Sequence, residues 1–226
     1  MRKLDEFNEI YAKIIAEENS FQISKKTSPY YNHLDFFNGN ITPTLKIIKK
    51  FKTYQQSTDF TCGAASLLMV LNHWNIVDKN ELDLAKEMGI CSFDDTEKGF
   101  YKCYPAAIEI AVKNRGIKTV PQQKFETPES FAEFVKKQIM VDSPILVEWC
   151  TWGGHWTVII GFDDMGTTDV SNYVLIMADP YDTTDHCQDG YVIVPFEKFF
   201  YEWFDAGVLS PGIIRQQYVA PLKPEI

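Results

Sequence analysis

Residues 55–71 read QQSTDFTCGAASLLMVL, and the change from polar to apolar residues at Cys62 predicts the start of a helix. Thr61 is of the residue type that commonly caps a helix N-terminus. The apolar residues that follow recur at the spacing of one broad helix face, and they are Ala65, Leu68, Met69, Leu71 and Trp74. We therefore predict a largely buried helix that begins at Cys62.

A cysteine at a helix N-terminus lies where unpaired backbone N–H groups and the helix dipole stabilise an anion. The thiolate is the reactive form of cysteine, so the position suits a nucleophile. Gly63 has no side chain and would let a substrate backbone approach closely. The Gln56 amide, together with the Cys62 N–H, could form an oxyanion hole. The alternative interpretation of Cys62 alone is a small buried apolar residue.

Along the rest of the chain, the predicted secondary structure changes from helices to strands. Helices are predicted over residues 4–18, 80–88, 104–114 and 196–204, with one more that Thr127 caps and Pro128 begins. Strands are predicted over residues 45–54, 144–149, 155–162, 173–178, 190–194 and 213–219. Helices that come before a run of strands indicate an α+β fold, in which a helical half packs on an antiparallel sheet.

His155 and Asp179 are the candidate partners of Cys62. His155 begins one predicted strand behind Gly153 and Gly154, which leave room in front of the imidazole, and Asp179 ends the next strand. Two neighbouring antiparallel strands can bring an imidazole and a carboxylate together, as a base and the group that orients it require. The alternative is a structural histidine and an ordinary Asp-Pro turn.

Four motifs resemble those of the C39-like family of papain-type cysteine peptidases. They are QQSTDFTCGAASLLMVL, PILVEW followed by GGHWTVIIGFDD, VLIMADPYD, and GYVIVPFEKFFYEW, in that order. The resemblance implies a papain-like cysteine proteinase fold with Gln56 in the oxyanion hole. It also implies that Cys62 is the nucleophile, His155 its base and Asp179 the residue that orients the base. The stretch around Cys62 is also similar, more weakly, to phytochelatin synthase, a papain-fold transpeptidase.

The resemblance covers residues 51–204, which sets the expected domain organisation. We predict an N-terminal helical extension over residues 1–44 and a papain-like catalytic domain over residues 45–226. Within that domain Gly63, Trp152 and Gly154 are predicted to contact substrate, although Trp152 also fits ordinary hairpin packing. Cys150, His155, His186 and Cys187 lack the spacing of a structural zinc site, so we predict no metal and no cofactor.

Composition narrows the partners and the location. The 22 lysines and arginines against 31 acids give a net charge of -9, which argues against a nucleic-acid partner. Residues 1–20 contain no apolar stretch typical of a secretory leader, and no apolar run is long enough to span a bilayer. Five cysteines at irregular spacing fit a reducing compartment, so we expect a cytoplasmic protein, with a secreted effector as the alternative.

The sequence thus predicts a hydrolase that cleaves a peptide or related amide through a thioester at Cys62. Two alternatives remain open. In a transpeptidase or acyltransferase an amine would replace the hydrolytic water, and in a binding module of the same fold the cleft would bind peptides without chemistry.

Overall fold

The computed structural model describes residues 41–92, 94–95, 102–183, 188–205 and 214–224. The helix predicted over residues 4–18 lies outside these ranges, so the N-terminal extension over residues 1–44 stays a prediction. Across the described residues, four of the five α-helices lie before residue 141 and seven of the eight strands lie after it. The predicted α+β architecture is confirmed.

A six-stranded antiparallel sheet forms the centre of the fold, in the order β5-β4-β3-β2-β8, with β1 paired to the far end of β3. Its strands are β1 (Leu45–Ile47), β2 (Ile145–Trp149), β3 (His155–Asp163), β4 (Val174–Ala178), β5 (Tyr191–Pro195) and β8 (Tyr218–Val219). The short strands β6 (Phe204–Asp205) and β7 (Ile214–Arg215) form a separate two-stranded ribbon.

The central strand β3 is buried at every one of its 9 positions. It pairs with β2 on one edge and β4 on the other, and helices pack against it. Continuous β-branched and aromatic residues are typical of a strand that is covered on both faces. The hydrophobic sequence of this strand therefore places His155, its first residue, at a rigid position.

The helices are α1 (Cys62–His73), α2 (Glu81–Glu87), α3 (Pro105–Asn114), α4 (Pro128–Met140) and α5 (Phe196–Glu202). The Asn80 side chain caps α2, and Thr127 forms a capping box with Ser130 at the start of α4. None of the helices in the described part of the chain is both long and apolar enough to cross a membrane.

Two local predictions were wrong, and a third, the N-cap at Thr61, was right in position but not in its hydrogen bond. The first strand ends at Ile47 rather than residue 54, because Lys50 adopts a left-handed turn conformation with φ of 57°. The final strand is split into β7 and β8 by Gln216, which has the same φ of 57°. Thr61 precedes α1 but makes no capping hydrogen bond, since its hydroxyl donates to Glu81 instead.

Packing between α1 and β3 holds the start of the helix, which carries Cys62, near the start of the strand, which carries His155. The Ser66 hydroxyl of α1 donates to the Trp156 carbonyl of β3 at 3.0 Å. The Trp156 indole N–H donates in turn to the Cys103 carbonyl at 2.9 Å. All three residues are buried, so these bonds fix the start of α1 against the start of β3.

Candidate active site

Cys62 is the first residue of α1 and lines a cavity of about 430 Å³. The first turn of the helix contains no acidic residue and no side-chain cap, so its N–H groups remain available to an anion at this end. Cys62 is half-buried and is a free thiol. The position has the features expected of a nucleophile at a helix start.

The loop before Cys62 is held by the carboxylate of Glu81, a buried residue at the start of α2. Both of its oxygens accept from the Ser57 N–H, at 3.0 and 3.1 Å. They also accept from the hydroxyls of Thr61 and Tyr54. Burial, followed by the bond to Glu81, raises the pKa of the Tyr54 hydroxyl. Glu81 thereby fixes the segment between Gln56 and Cys62, a role that no sequence motif indicated.

His155, the first residue of β3, and Asp179, which follows the last residue of β4, form a buried pair. The His155 Nε2 atom lies 2.6 Å from the Asp179 Oδ1 atom, and the side chains are each 4% exposed. The same oxygen accepts the Tyr181 N–H at 2.8 Å, and the Asp179 N–H donates to the Gly190 carbonyl at 2.9 Å. Asp179 is therefore held on both its backbone and its side chain.

The Cys62 side chain also lies near the His155 imidazole, and both residues line the same cavity. Because Nε2 is bonded to Asp179, Nδ1 is the nitrogen left for the thiol. Burial alone would lower the pKa of His155, but the hydrogen bond to Asp179, followed by the effect of the nearby Cys62 side chain, raises this pKa to about 10. The raised pKa favours the imidazolium form of His155.

The other aspartates that follow His155 in the chain lie near the same strands but have different partners. Asp163 accepts the Met165 N–H at 2.8 Å at the far end of β3, and Asp164 accepts the Gly166 N–H at 3.0 Å. Asp182 accepts the Gly190 N–H at 3.0 Å. Asp185 lies outside the described residues. Among the aspartates that the structure describes, Asp179 is the one bonded to His155.

Gln56 lines the cavity with Cys62 and His155, but its amide is turned differently from the expectation. Its Nε2 atom donates to the Thr58 carbonyl at 2.7 Å, which uses one of the two amide N–H bonds. Its backbone N–H donates to the Pro180 carbonyl at 2.8 Å, beside Asp179. One amide N–H thus remains for an oxyanion. The neighbouring Gln55 is exposed and does not line this cavity.

The three predicted substrate contacts differ in their surroundings. Trp152 lines the cavity, is 64% exposed and stacks edge-on against Tyr181. Gly154 also lines the cavity. The space in front of Gly63 is not open to a substrate, because a Cβ there would lie only 2.4 Å from the Cys103 Sγ atom. Gly63 is required for close packing of Cys103 against α1.

A set of charged residues in the same cavity was missed in the sequence. Glu148 of β2 and Lys102, which precedes α3, both line it, and Lys102 forms an ion pair with the fully buried Asp205. Burial raises the pKa of Glu148 to about 7, against the opposing effects of Lys102, Gln217 and His155. The only sequence signal was a single acid, Glu148, at the end of an otherwise apolar strand.

No cluster of histidines, cysteines or acids within the described ranges is arranged to hold a metal ion. His186 and Cys187, two of the four residues compared above with a structural zinc site, lie outside those ranges. The side chains around Cys62 can supply a nucleophile, a base and an orienting carboxylate without further groups.

Comparison with known proteins gives a family for the chain and two similar structures. A family profile described as the Peptidase_C39 like family matches residues 48–208. The chain is similar to the crystal structure of the peptidase domain of Streptococcus ComA, a bifunctional ABC transporter involved in quorum sensing. The two share 16% identity, and the match covers 77% of this chain and 99% of that one, with a TM-score of 0.49.

A second similar structure is a double glycine motif protease from an AMS/PCAT transporter, solved in complex with the leader peptide. It is 18% identical, covers 73% of this chain and 90% of that one, and has a TM-score of 0.42. No curated protein sequence matches the chain. The family profile spans more than half of the chain, and it includes Cys62, His155 and Asp179. The chain belongs to the Peptidase_C39 like family, as the order of its motifs indicated.

Proposed function

We propose that this protein is a cysteine peptidase or amidohydrolase that cleaves a peptide or related amide through a thioester at Cys62. The observation that carries the proposal is that His155, which is bonded to Asp179 through Nε2, lines one open cavity together with Cys62. Membership of the Peptidase_C39 like family supports the same chemistry.

The side chains take the following roles. The Cys62 thiolate attacks the carbonyl carbon of the amide, and the charge that forms on the carbonyl oxygen is stabilised by the Cys62 N–H and the remaining N–H of Gln56. The His155 imidazolium donates its proton to the leaving amine, which departs and leaves a thioester. The neutral imidazole then takes a proton from water as the water attacks the thioester. Asp179 keeps the imidazole in the required orientation.

The catalytic unit in this proposal is the predicted domain over residues 45–226, which contains the whole family match. Its substrate is a peptide or another amide that enters the cavity beside Trp152. We place the protein in the cytoplasm, because Cys62, Cys91, Cys103 and Cys150 are all free thiols, which persist in a reducing compartment.

Two experiments test the proposal against its alternatives. A mixed peptide library is incubated with the wild-type protein or with Cys62→Ala, and products are identified by mass spectrometry. New carboxyl termini in the wild-type sample alone support hydrolysis. An added primary amine that captures the acyl group in preference to water would indicate a transferase. A wild-type protein that binds peptides but yields no product with either nucleophile would be a binding module.

A further inference from the structure

Three aromatic side chains that line the candidate active-site cavity lie outside the hydrophobic core. They are Phe60, Trp152 and Tyr181. Trp152 is 64% exposed and Tyr181 is 39% exposed, whereas Phe60 is half-buried. Each of the three lies two or three residues along the chain from one of the three proposed catalytic residues. Aromatic surface is therefore accessible close to the reacting groups.

The backbone holds Trp152 in a conformation that is unfavourable for a residue with a Cβ atom. Its φ of 56° and ψ of 19° lie in the left-handed region, and Gly153 and Gly154 continue the turn with φ of 82° and 129°. The turn is closed by the Gly153 N–H, which donates to the Cys150 carbonyl at 3.2 Å. Glycine at position 152 would adopt the same turn with less strain. Because the exposed indole buries little surface, packing does not explain the strain, which points to a function for the ring in the cavity.

Trp152 packs against Tyr181, and this second ring is itself held at the site. The two ring centroids are 5.4 Å apart and the ring planes are inclined by 80°, which is an edge-to-face pair. The Tyr181 N–H donates to the Asp179 Oδ1 atom at 2.8 Å, and Trp152 lies three residues before His155. The pair is thus attached to both partners of the His155–Asp179 hydrogen bond. A third aromatic ring that packs on such a pair gains more than its buried area alone supplies.

Another part of the cavity wall has no room for a side chain. A Cβ at Gly154 would lie 3.0 Å from the Glu148 Oε1 atom and 3.2 Å from the Asp205 Oδ1 atom. These two carboxyl groups therefore close the space in front of the Gly154 backbone. Lys102, which also lines the cavity, is paired with Asp205. We therefore place a substrate side chain against the aromatic rings rather than against the charged residues.

We propose that Trp152 and Tyr181 form a subsite that binds an aromatic side chain of the substrate next to the scissile amide. The proposal rests on the proposed function of the same site, and it names the substrate class as peptides with phenylalanine, tyrosine or tryptophan beside the cleaved bond. The cavity volume of about 430 Å³ is within the range of sites that bind groups of this size. An aliphatic side chain is also apolar but lacks the contact between rings, so leucine should bind less well.

The first test compares the cleavage sites that the wild-type protein, Trp152→Gly and Tyr201→Ala produce in a mixed peptide library. In the wild type, aromatic residues should be enriched about tenfold over leucine at one of the two positions that flank the cut. That position shows on which side of the amide the subsite lies. Trp152→Gly should lose the enrichment. Tyr201, which is 61% exposed on α5 and does not line the cavity, is the matched control and should keep it when replaced.

Two results of this first test would refute the subsite. One is a wild-type preference for leucine or lysine over aromatic residues at both positions. The other is an aromatic preference that Trp152→Gly leaves unchanged. Trp152→Phe keeps a ring at the same place and should retain part of the enrichment.

The melting temperature of Trp152→Gly separates a binding role from a packing role. Glycine suits the left-handed φ at this position, so loss of an indole that only contacts substrate should change the melting temperature little. A large decrease would show that Trp152 packs as part of the fold, and this would overturn the argument from strain.

A second measurement does not depend on catalysis. Isotope-labelled Cys62→Ala protein is titrated with the amide of N-acetylphenylalanine or of N-acetylleucine. The Trp152 indole N–H resonance, identified by its absence when Trp152→Gly is added, is followed by NMR. The phenylalanine compound should shift this resonance at about tenfold lower concentration. If this difference is seen but no peptide is cleaved, the proposed function fails and the subsite stands. If peptides are cleaved but both compounds act alike, the subsite is refuted and the proposed function stands.

Discussion

The Asp179 Oδ1 atom lies 2.6 Å from the His155 Nε2 atom and also accepts the backbone N–H of Tyr181. The Asp179 Oδ1 atom thus holds the imidazole in place, and the Tyr181 N–H in turn holds that oxygen in place. This leaves Nδ1 as the ring nitrogen that is not bonded to Asp179, and the carboxylate stabilises a positive charge on the ring.

Replacement of Asp179 should slow the chemistry without abolishing it. Asp179→Ala removes the group that orients the imidazole, so we expect kcat to fall by about 10²- to 10⁴-fold, less than for Cys62→Ala. Asp182→Ala serves as the control, because Asp182 is also buried near Gly190 but bonds to a backbone N–H rather than to His155. A larger loss in the Asp182 variant, measured as steady-state kcat, would contradict the assignment of Asp179.

Replacement of Gln56 tests the oxyanion hole. Gln56→Ala should lower kcat by about 10²-fold with little change in KM, because a donor to the oxyanion acts in the transition state. The amide also bonds to the Thr58 carbonyl, so the melting temperature must be followed in parallel. Gln55→Ala is the matched control one residue away. Equal losses in the two variants would show that Gln56 has no special role.

Glu81 is expected to act through the loop that it holds. Glu81→Gln replaces one carboxylate oxygen by an NH₂ group that cannot accept from Ser57, Thr61 or Tyr54. We expect a loss of about 1–3 kcal/mol in the free energy of unfolding, measured by urea denaturation. A positioning role also predicts a lower kcat for the folded variant. Unchanged kcat alongside reduced stability would limit Glu81 to a structural role.

The Glu148 carboxyl makes the stability of the protein depend on pH. Its folded pKa of about 7 exceeds the ordinary value of 4.5, so its contribution to stability is fully present below pH 4.5 and is lost as pH rises through about 7. Glutamine does not titrate. The free energy of unfolding of Glu148→Gln relative to wild type should therefore increase, on the order of 2–3 kcal/mol, between those two limits. If the difference in the free energy of unfolding between Glu148→Gln and wild type does not change with pH, the Glu148 carboxylate is not destabilised by burial.

The sequence predicted those parts of the site that depend on local pattern. The helix at Cys62 and the strand at His155 follow from periodicity, the order of neighbouring strands indicated Asp179, and the family motifs supported both Asp179 and Gln56. The relation between neighbouring antiparallel strands was enough to choose Asp179 over Asp163, since the two lie at opposite ends of the β3–β4 pair.

The parts that the sequence did not predict depend on contacts between distant segments. Glu81 reaches Ser57 across 24 residues, and Glu148 bonds to Gln217 across 69. Such pairs leave no periodic signal in a single sequence. The role of Gly63 was misread for the same reason, because Cys103, which fills its space, comes from another segment of the chain. The turns at Lys50 and Gln216 were missed because neither is glycine.

The central claim is that His155 activates Cys62, and the most direct test is the rate of alkylation of each cysteine by iodoacetamide, followed by peptide mass spectrometry. Near neutral pH, Cys62 should react faster than Cys91 and Cys150, which are also free and similarly half-buried. His155→Ala should sharply slow the alkylation of Cys62 at that pH. The difference in rate between the variant and the wild-type protein should become smaller at higher pH, where hydroxide replaces the imidazole as the base. Equal rates at Cys62 and Cys91, or a Cys62 rate that His155→Ala leaves unchanged, would contradict the claim.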